Sequence, residues 1–265
     1  MRAAMRRKKL FLLDMDGTLY LGDRVFDHCL DFLRAIRRQG GRYLYLTNNS
    51  SKSVDKYVEK MERLHIPAAA EDFFTSTDAA CAYLREHYHG RKIYALGTAS
   101  FRQQLQGAGF PVTDRLEDDV DCLLMGFDTE LTFQKLEDAC ILLNRGVEYV
   151  ATNPDWVCPT WYGSVPDCGS VAEMLYRATG RRPLFIGKPE PDMVELAVKE
   201  TDFTKEQTIL LGDRLYTDIK SGVRAGVDTV LVLSGEATLK DLAASDVKPT
   251  YVMKDIREFL NNLTE

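Results

Sequence analysis

Along the chain, short runs of uninterrupted apolar residues alternate with longer segments in which apolar positions recur every three or four residues. Leu10–Asp14 (LFLLD) and Tyr43–Thr47 (YLYLT) are the first two runs. Between them a helix is predicted from about Asp27 to Arg38, stopped at Gly40-Gly41. Apolar runs without polar alternation suit strands buried on both faces, and such runs joined by helices are βαβ units of a parallel sheet. The same grammar returns at Ile209–Gly212, with a helix from Thr217 to Ala225, Gly226 at its C-terminal cap and a strand at Thr229–Leu233. A second patch of alternation lies between, with strands expected at Ile93–Leu96, Cys122–Met125 and Glu148–Thr152. Its helix sets Phe133, Leu136, Cys140 and Leu143 at spacings of three and four and stops at Gly146.

The pattern predicts an α/β fold: a Rossmann-like, doubly wound parallel-sheet core from residues 1–80 and 184–265, with an inserted α/β unit at residues 81–183. The chain would cross between the parts twice, and a double connection is a natural hinge. A length of 265 residues accommodates one large domain with a smaller companion. The 34 basic and 40 acidic side chains leave a net charge of −6, the wrong sign for a protein that binds nucleic acid or acidic lipid headgroups. Apolar runs such as Thr229–Leu233 fall far short of the about 20 residues a membrane span needs. The basic start Arg6-Arg7-Lys8-Lys9 is followed too soon by Asp14 and Asp16 for a secretion signal, so it reads as a solvated lead-in to the first strand. Cysteines 29, 81, 122, 140, 158 and 168 contain no Cys-x-x-Cys pair, and free thiols in a reducing cytoplasm are the expectation.

Chemistry collects at the strand ends. Asp14-Met15-Asp16-Gly17-Thr18 follows the first run directly, and two carboxylates two apart project to one side while Gly17 permits a sharp turn. Thr47-Asn48-Asn49-Ser50 closes the second run with hydroxyl and amide groups suited to phosphoryl oxygens. Gly187-Lys188-Pro189 follows Leu184-Phe185-Ile186; it is not a P-loop, because Arg182 stands where that pattern requires Gly. Asp213 ends the fourth run after Gly212, aimed at the crevice where open α/β sheets bind ligands, and Asp218 starts the next helix. Crowded carboxylates repel unless a cation sits among them, and oxygen-only ligands suit magnesium. Phosphoryl transfer through an attacking carboxylate, with a second carboxylic acid moving the proton, fits this set.

In this order, Asp14-x-Asp16-Gly17-Thr18, Thr47, Lys188 and Gly212-Asp213-x4-Asp218 resemble the four signature motifs of the haloacid dehalogenase superfamily. Thr47–Ser50, Ala151–Asp155 and Gly187–Pro191 are similar to the branch of NagD-type and 4-nitrophenylphosphatase-type enzymes, and the likeness spans essentially the whole chain. The resemblance implies a Mg2+-dependent phosphomonoesterase with Asp14 as nucleophile and Asp16 as general acid and base. It implies that Thr47, Asn48, Asn49 and Lys188 bind phosphate or substrate, that Asp14, the Asp16 carbonyl and Asp213 hold the metal, and that Asp218 supports Lys188 or a metal-bound water. The middle block would be a cap whose loop from Asn153 to Gly169, with Asn153, Asp155 and Cys158, reaches over the site and selects the leaving group. Relatives that prefer pyridoxal phosphate carry histidine where this chain has Cys158, which argues against that substrate. The expected substrate is a small phosphorylated metabolite such as a sugar phosphate, nucleoside monophosphate or phosphoglycolate, with 4-nitrophenyl phosphate as an artificial one. Cap-mediated dimers are common in that branch, so a homodimer is also an expectation.

Other features carry less. Trp156, Trp161 and Tyr162 suit either a substrate ring or a protein contact, and Cys158 with Cys168 reads as inert thiols rather than a redox pair. His87-Tyr88-His89 lies at a polar helix end without acids and reads as a solvated face, and Phe73-Phe74 as buried packing. Asp16 argues against a dehalogenase, because a departing halide takes no proton. A phosphomutase keeps both acids, and a phospho-aspartate signalling module needs about half this length.

Overall fold

A computed structural model describes residues 2–160 and 162–264. The chain divides into two compact units. The first comprises the chain up to Thr47, Tyr57–Phe74 and the chain from Lys188 onward. The second comprises Asn48–Lys56 and Thr75–Gly187.

Among the described residues the first unit is built on a six-stranded sheet in the order Tyr251–Met253, Asp228–Val232, Thr208–Gly212, Leu10–Leu13, Arg42–Thr47, Phe73–Thr75. The pairings from Tyr251–Met253 across to Arg42–Thr47 are parallel. Leu10–Leu13 and Thr208–Gly212 are buried along their whole length, which is why neither shows polar alternation. In chain order the sheet starts at Leu10–Leu13, winds outward to Arg42–Thr47, and later winds the other way from Thr208–Gly212. Strand order therefore reverses between two neighbours, and the carboxyl ends of those two strands frame the crevice of a doubly wound sheet. Phe259 packs edge-on against Phe11 and Phe32, with ring centroids 6.1 and 5.4 Å away, and so closes one face. Phe73 and Phe74 are buried, with Phe73 against Tyr45 and Tyr57.

The second unit has a five-stranded parallel sheet in the order Leu184–Phe185, Glu148–Ala151, Cys122–Met125, Ile93–Leu96, Val112–Thr113. Helices Phe133–Asn144 and Cys168–Thr179 bury Leu142, Leu143, Val171 and Leu175 in the core formed with Tyr94, Leu123 and Met125. An antiparallel hairpin pairs Val157–Thr160 with Gly163–Pro166.

Three expectations change. Lys8 is not solvated: its ammonium pairs with Asp228 at 2.7 Å and donates to the Glu206 carbonyl, also at 2.7 Å, with the residue 5% exposed. The long lysine stem reaches from the start of this inner strand to a carboxylate two strands away, a pairing that sequence proximity does not reveal. The helix expected from Thr217 to Ala225 is a π-turn, Leu215–Ile219, followed by the helix Lys220–Ala225, with Gly226 in the left-handed region at φ 74°. Residues 48–56 and 75–80 group with the second unit, although they precede residue 81. Ser50 Oγ contacts Thr152 Oγ1 at 2.9 Å and accepts from Phe127 N–H at 2.8 Å, and Ser53 N–H donates to Ser100 Oγ. Residues distant in sequence capture this segment through hydroxyl groups, so its own composition carries no boundary signal.

Candidate active site

Asp14 leaves the end of Leu10–Leu13 with its N–H donating to the Leu211 carbonyl at 2.9 Å, so the neighbouring strand fixes its backbone. The chain then turns back through Gly17, at φ 86°, whose N–H donates to the Tyr20 carbonyl at 2.7 Å. An added Cβ at Gly17 would lie 2.2 Å from Asp213 Oδ2, so the turn needs glycine for both conformation and space.

Lys188 is 3% exposed, and its ammonium donates to Asp14 Oδ1 at 2.8 Å, Asp218 Oδ1 at 2.6 Å and the Leu46 carbonyl at 3.1 Å. Asp218, inside the π-turn, accepts from Arg214 N–H at 3.1 Å through its other oxygen. Asp218 thus ties the N-cap of that turn to the Lys188 ammonium. Asp213 Oδ2 accepts from Glu236 N–H at 2.7 Å, whereas Asp213 Oδ1 is buried without a hydrogen-bond partner among the described residues. One oxygen from each of Asp14, Asp213 and Asp218 lies within 4.8 Å of the others.

The electrostatics follow from this crowding. Burial first, and then repulsion from Asp218 and Asp213, raises the Asp14 carboxyl well above its ordinary range despite the opposing pull of Lys188. Burial, with Asp218 next, pushes Asp213 up to about 7. Burial works against the charge of Lys188, but Asp14 and Asp218 hold its pKa above the ordinary lysine value. One ammonium serves two carboxylates, while the third, Asp213, has the Glu236 N–H bond and the charge of Arg214, which only partly offset its burial. An orphaned buried carboxylate oxygen beside two further carboxylates fits a hard divalent cation, for which oxygen-only donors are the preferred ligands.

The other expected residues are placed differently. Thr47 ends Arg42–Thr47 in the first unit and is buried. Asp16 lies outside the carboxylate group: its Oδ2 pairs with Lys60 at 3.4 Å and its Oδ1 accepts from Gly22 N–H at 3.2 Å. Asn48 belongs to the second unit and donates to Asp155 Oδ2 at 2.7 Å, while Asn49 Oδ1 accepts from Ser51. Asn153, which is fully buried, donates to Asp155 at 2.8 Å and to Asp167 at 3.2 Å. Asn153 and Asp155 thus form part of a buried hydrogen-bond network of the second unit. Cys158 sits half-buried on the hairpin, flanked in sequence by exposed Trp156 and Tyr162; Trp161 lies outside the described residues. Cys29, Cys81, Cys122, Cys140 and Cys168 are free thiols.

Sequence reading missed Ser234, Gly235 and Glu236. Ser234 Oγ donates to the Gly17 carbonyl at 2.8 Å, and a Cβ on Gly235 would meet Asp213 Oδ2 at 2.0 Å. The signal was present, since Ser234-Gly235 directly follows the apolar strand now bounded at Val232 with Leu233.

Comparison with known proteins agrees with this architecture. The profile of haloacid dehalogenase-like hydrolases matches residues 11–111, and a HAD-hydrolase-like profile matches residues 185–259. The chain is 34% identical over 259 residues to an acid sugar phosphatase of Staphylococcus aureus, covering 98% of this chain and 99% of that protein. The structure of a 4-nitrophenylphosphatase from Thermotoga maritima superposes with a TM-score of 0.93 at 36% identity, covering 97% of this chain and 98% of the other. A glycerol phosphate phosphatase from Mycobacterium tuberculosis, solved in complex with magnesium, reaches 0.90 at 30% identity, covering 96% of this chain and 77% of that one. The chain belongs to the haloacid dehalogenase-like hydrolases, in the branch of the NagD-type and 4-nitrophenylphosphatase enzymes.

Proposed function

We propose that this hydrolase is a Mg2+-dependent phosphatase that cleaves small phosphate monoesters through a phospho-aspartate on Asp14. The buried ammonium of Lys188, 2.8 Å from Asp14 Oδ1, carries the reading, because it fixes a cation where the attacking carboxylate meets phosphoryl oxygens. A carboxylate oxygen of Asp14 attacks phosphorus in line, the ester P–O bond breaks, and Asp16 delivers its proton to the departing oxygen to release the alcohol. Asp16, now a carboxylate, takes a proton from the water that attacks the phospho-aspartate, and the Asp14–phosphorus bond breaks to release inorganic phosphate. Thr47 and Lys188 hold the phosphoryl oxygens in both steps, and Asp218 keeps the ammonium of Lys188 in place. Bound between Asp14, Asp213 and the Asp16 carbonyl, Mg2+ would supply positive charge against the phosphoryl oxygens and the crowded carboxylates.

The substrate class is a small polyol or sugar phosphate. The names of the Staphylococcus and Mycobacterium relatives support it, as does the absence of a basic surplus for polyanions in a chain of net charge −6. The free thiols of Cys29, Cys81, Cys122, Cys140 and Cys168 support a reducing, cytoplasmic setting. The test is phosphate release from some tens of phosphorylated metabolites, with and without Mg2+, by the wild type and by Asp14→Asn. Release that depends on metal and is lost in Asp14→Asn is expected. A variant retaining a tenth or more of the wild-type rate would overturn the nucleophile assignment.

A further inference from the structure

We propose that Lys60 is a positioning residue for Asp16, holding its carboxylate in the orientation from which it passes the proton to the leaving group. This rests on the reading of Asp16 as general acid.

Lys60 comes from the helix Val54–Arg63, and its ammonium makes two contacts with the turn that carries the acid. It lies 3.4 Å from Asp16 Oδ2 and 4.1 Å from the centroid of the Tyr20 ring. Tyr20 is itself buried, and its position relative to Asp16 is set by the bridge between the two residues and by the Gly17 N–H bond to the Tyr20 carbonyl. The lysine head is therefore seated on a fixed aromatic face, and its side chain is 19% exposed against 55% for that of Asp16. The second carboxylate oxygen of Asp16 accepts from Gly22 N–H at the tip of the hairpin Tyr20–Leu21/Arg24–Val25. One turn along the same helix, Arg63 pairs with Asp23 of that tip at 2.9 Å, so the helix grips the hairpin twice.

Without these anchors an exposed carboxylate samples several rotamers, and an acid must stand within hydrogen-bond reach of the atom it protonates. Exposed ion pairs alone contribute little, but the Tyr20 ring restricts where the Lys60 ammonium can go, and that restriction is passed to Asp16. Lys60 touches Asp16 and acts through it.

The experiment compares kcat/KM for glycerol phosphate and 4-nitrophenyl phosphate in wild type, Lys60→Met, Lys60→Arg and Asp16→Asn. Nitrophenolate leaves without a proton, whereas an alkoxide needs one, so loss of acid function separates the two substrates. Lys60→Met is expected to lose about tenfold on glycerol phosphate and less than about twofold on the aryl ester. Lys60→Arg should recover at least half of the loss, and the aryl activity of the same variant reports that it is folded. Asp16→Asn sets the scale. If it fails to separate the substrates, the acid role of Asp16 is wrong. If it separates them while Lys60→Met lowers both equally, changes neither, or speeds the alkyl ester, Lys60 does not position the acid.

Discussion

Lys188 Nζ stands 2.8 Å from Asp14 Oδ1 and 2.6 Å from Asp218 Oδ1, although Asp14 lies 174 positions away in the chain. The single ammonium bridges two carboxylates and leaves Asp213 to its bond from Glu236 N–H and one orphaned oxygen. Ionising all three carboxylates in this buried place is therefore costly, and the consequences can be measured.

Lys188→Met removes the only cation bonded to both Asp14 and Asp218 among the described residues. Breaking a buried pair by deleting one partner costs about 3–5 kcal/mol. Loss of a donor from the phosphoryl site lowers kcat by about a hundredfold or more. Mg2+ should restore part of the lost thermal stability without restoring turnover, because it offsets repulsion but does not replace the lysine's contact. Melting curves with Mg2+ or with EDTA check this; equal melting temperatures in the two buffers would contradict it.

The raised carboxyls make metal binding and pH interdependent. Asp213 moves from 3.8 in the unfolded chain to about 7 in the fold, and Asp14 is also raised. A group raised on folding contributes stability that is fully present below its unfolded pKa and is lost as pH rises through its folded one. The metal-free protein should thus lose stability between about pH 4 and 7, where the carboxylates ionise without compensation. A divalent cation reverses that loss, so Mg2+ should raise Tm by about 5 °C or more at pH 8 and by little at pH 5. Differential scanning fluorimetry at the two pH values decides; a gain independent of pH contradicts the assignment.

Gly235→Ala tests the room that Asp213 occupies. The new Cβ would lie 2.0 Å from Asp213 Oδ2 and 2.5 Å from its Cγ, so the carboxylate must move. Mg2+ affinity should fall by about tenfold or more while the fold persists. Isothermal titration of Mg2+ into wild type and variant gives the comparison, and an unchanged affinity would show that Asp213 has freedom to relocate.

In the second unit, Asp155→Ala removes a buried acceptor that the amides of Asn48 and Asn153 reach at 2.7 and 2.8 Å. Loss of two buried hydrogen bonds to one carboxylate should destabilise the protein by about 2–4 kcal/mol. Asp155→Asn, which keeps an acceptor oxygen but loses the charge, should fall between. Urea denaturation orders the three proteins; an Asp155→Ala midpoint equal to the wild type would remove the network from the account of this unit's stability.

What was legible from sequence was whatever local period and local chemistry encode. The strands Ile93–Leu96 and Cys122–Met125 occur with the bounds expected, because a short apolar run between polar flanks has one way to be buried in a parallel sheet. The hairpin Tyr20–Leu21/Arg24–Val25 and the π-turn at Leu215–Ile219 were not legible, since two-residue strands and a widened helical turn leave no periodic trace.

The sequence by itself determined that Asp14 and Asp213 end apolar strands and that Lys188 follows a third run, because burial of such runs is a local demand. Only the tertiary structure decided which of these groups meet. Adjacent placement of Leu10–Leu13 and Thr208–Gly212 at the reversal of strand order brings Asp14 near Asp213, and the π-turn aims Asp218 at Lys188. The same is true of Lys8 with Asp228, Lys60 with Asp16 and Asn153 with Asp155. Pairing of charged and polar side chains depends on distances across neighbouring elements, and residue order sets those distances only after the sheets have formed.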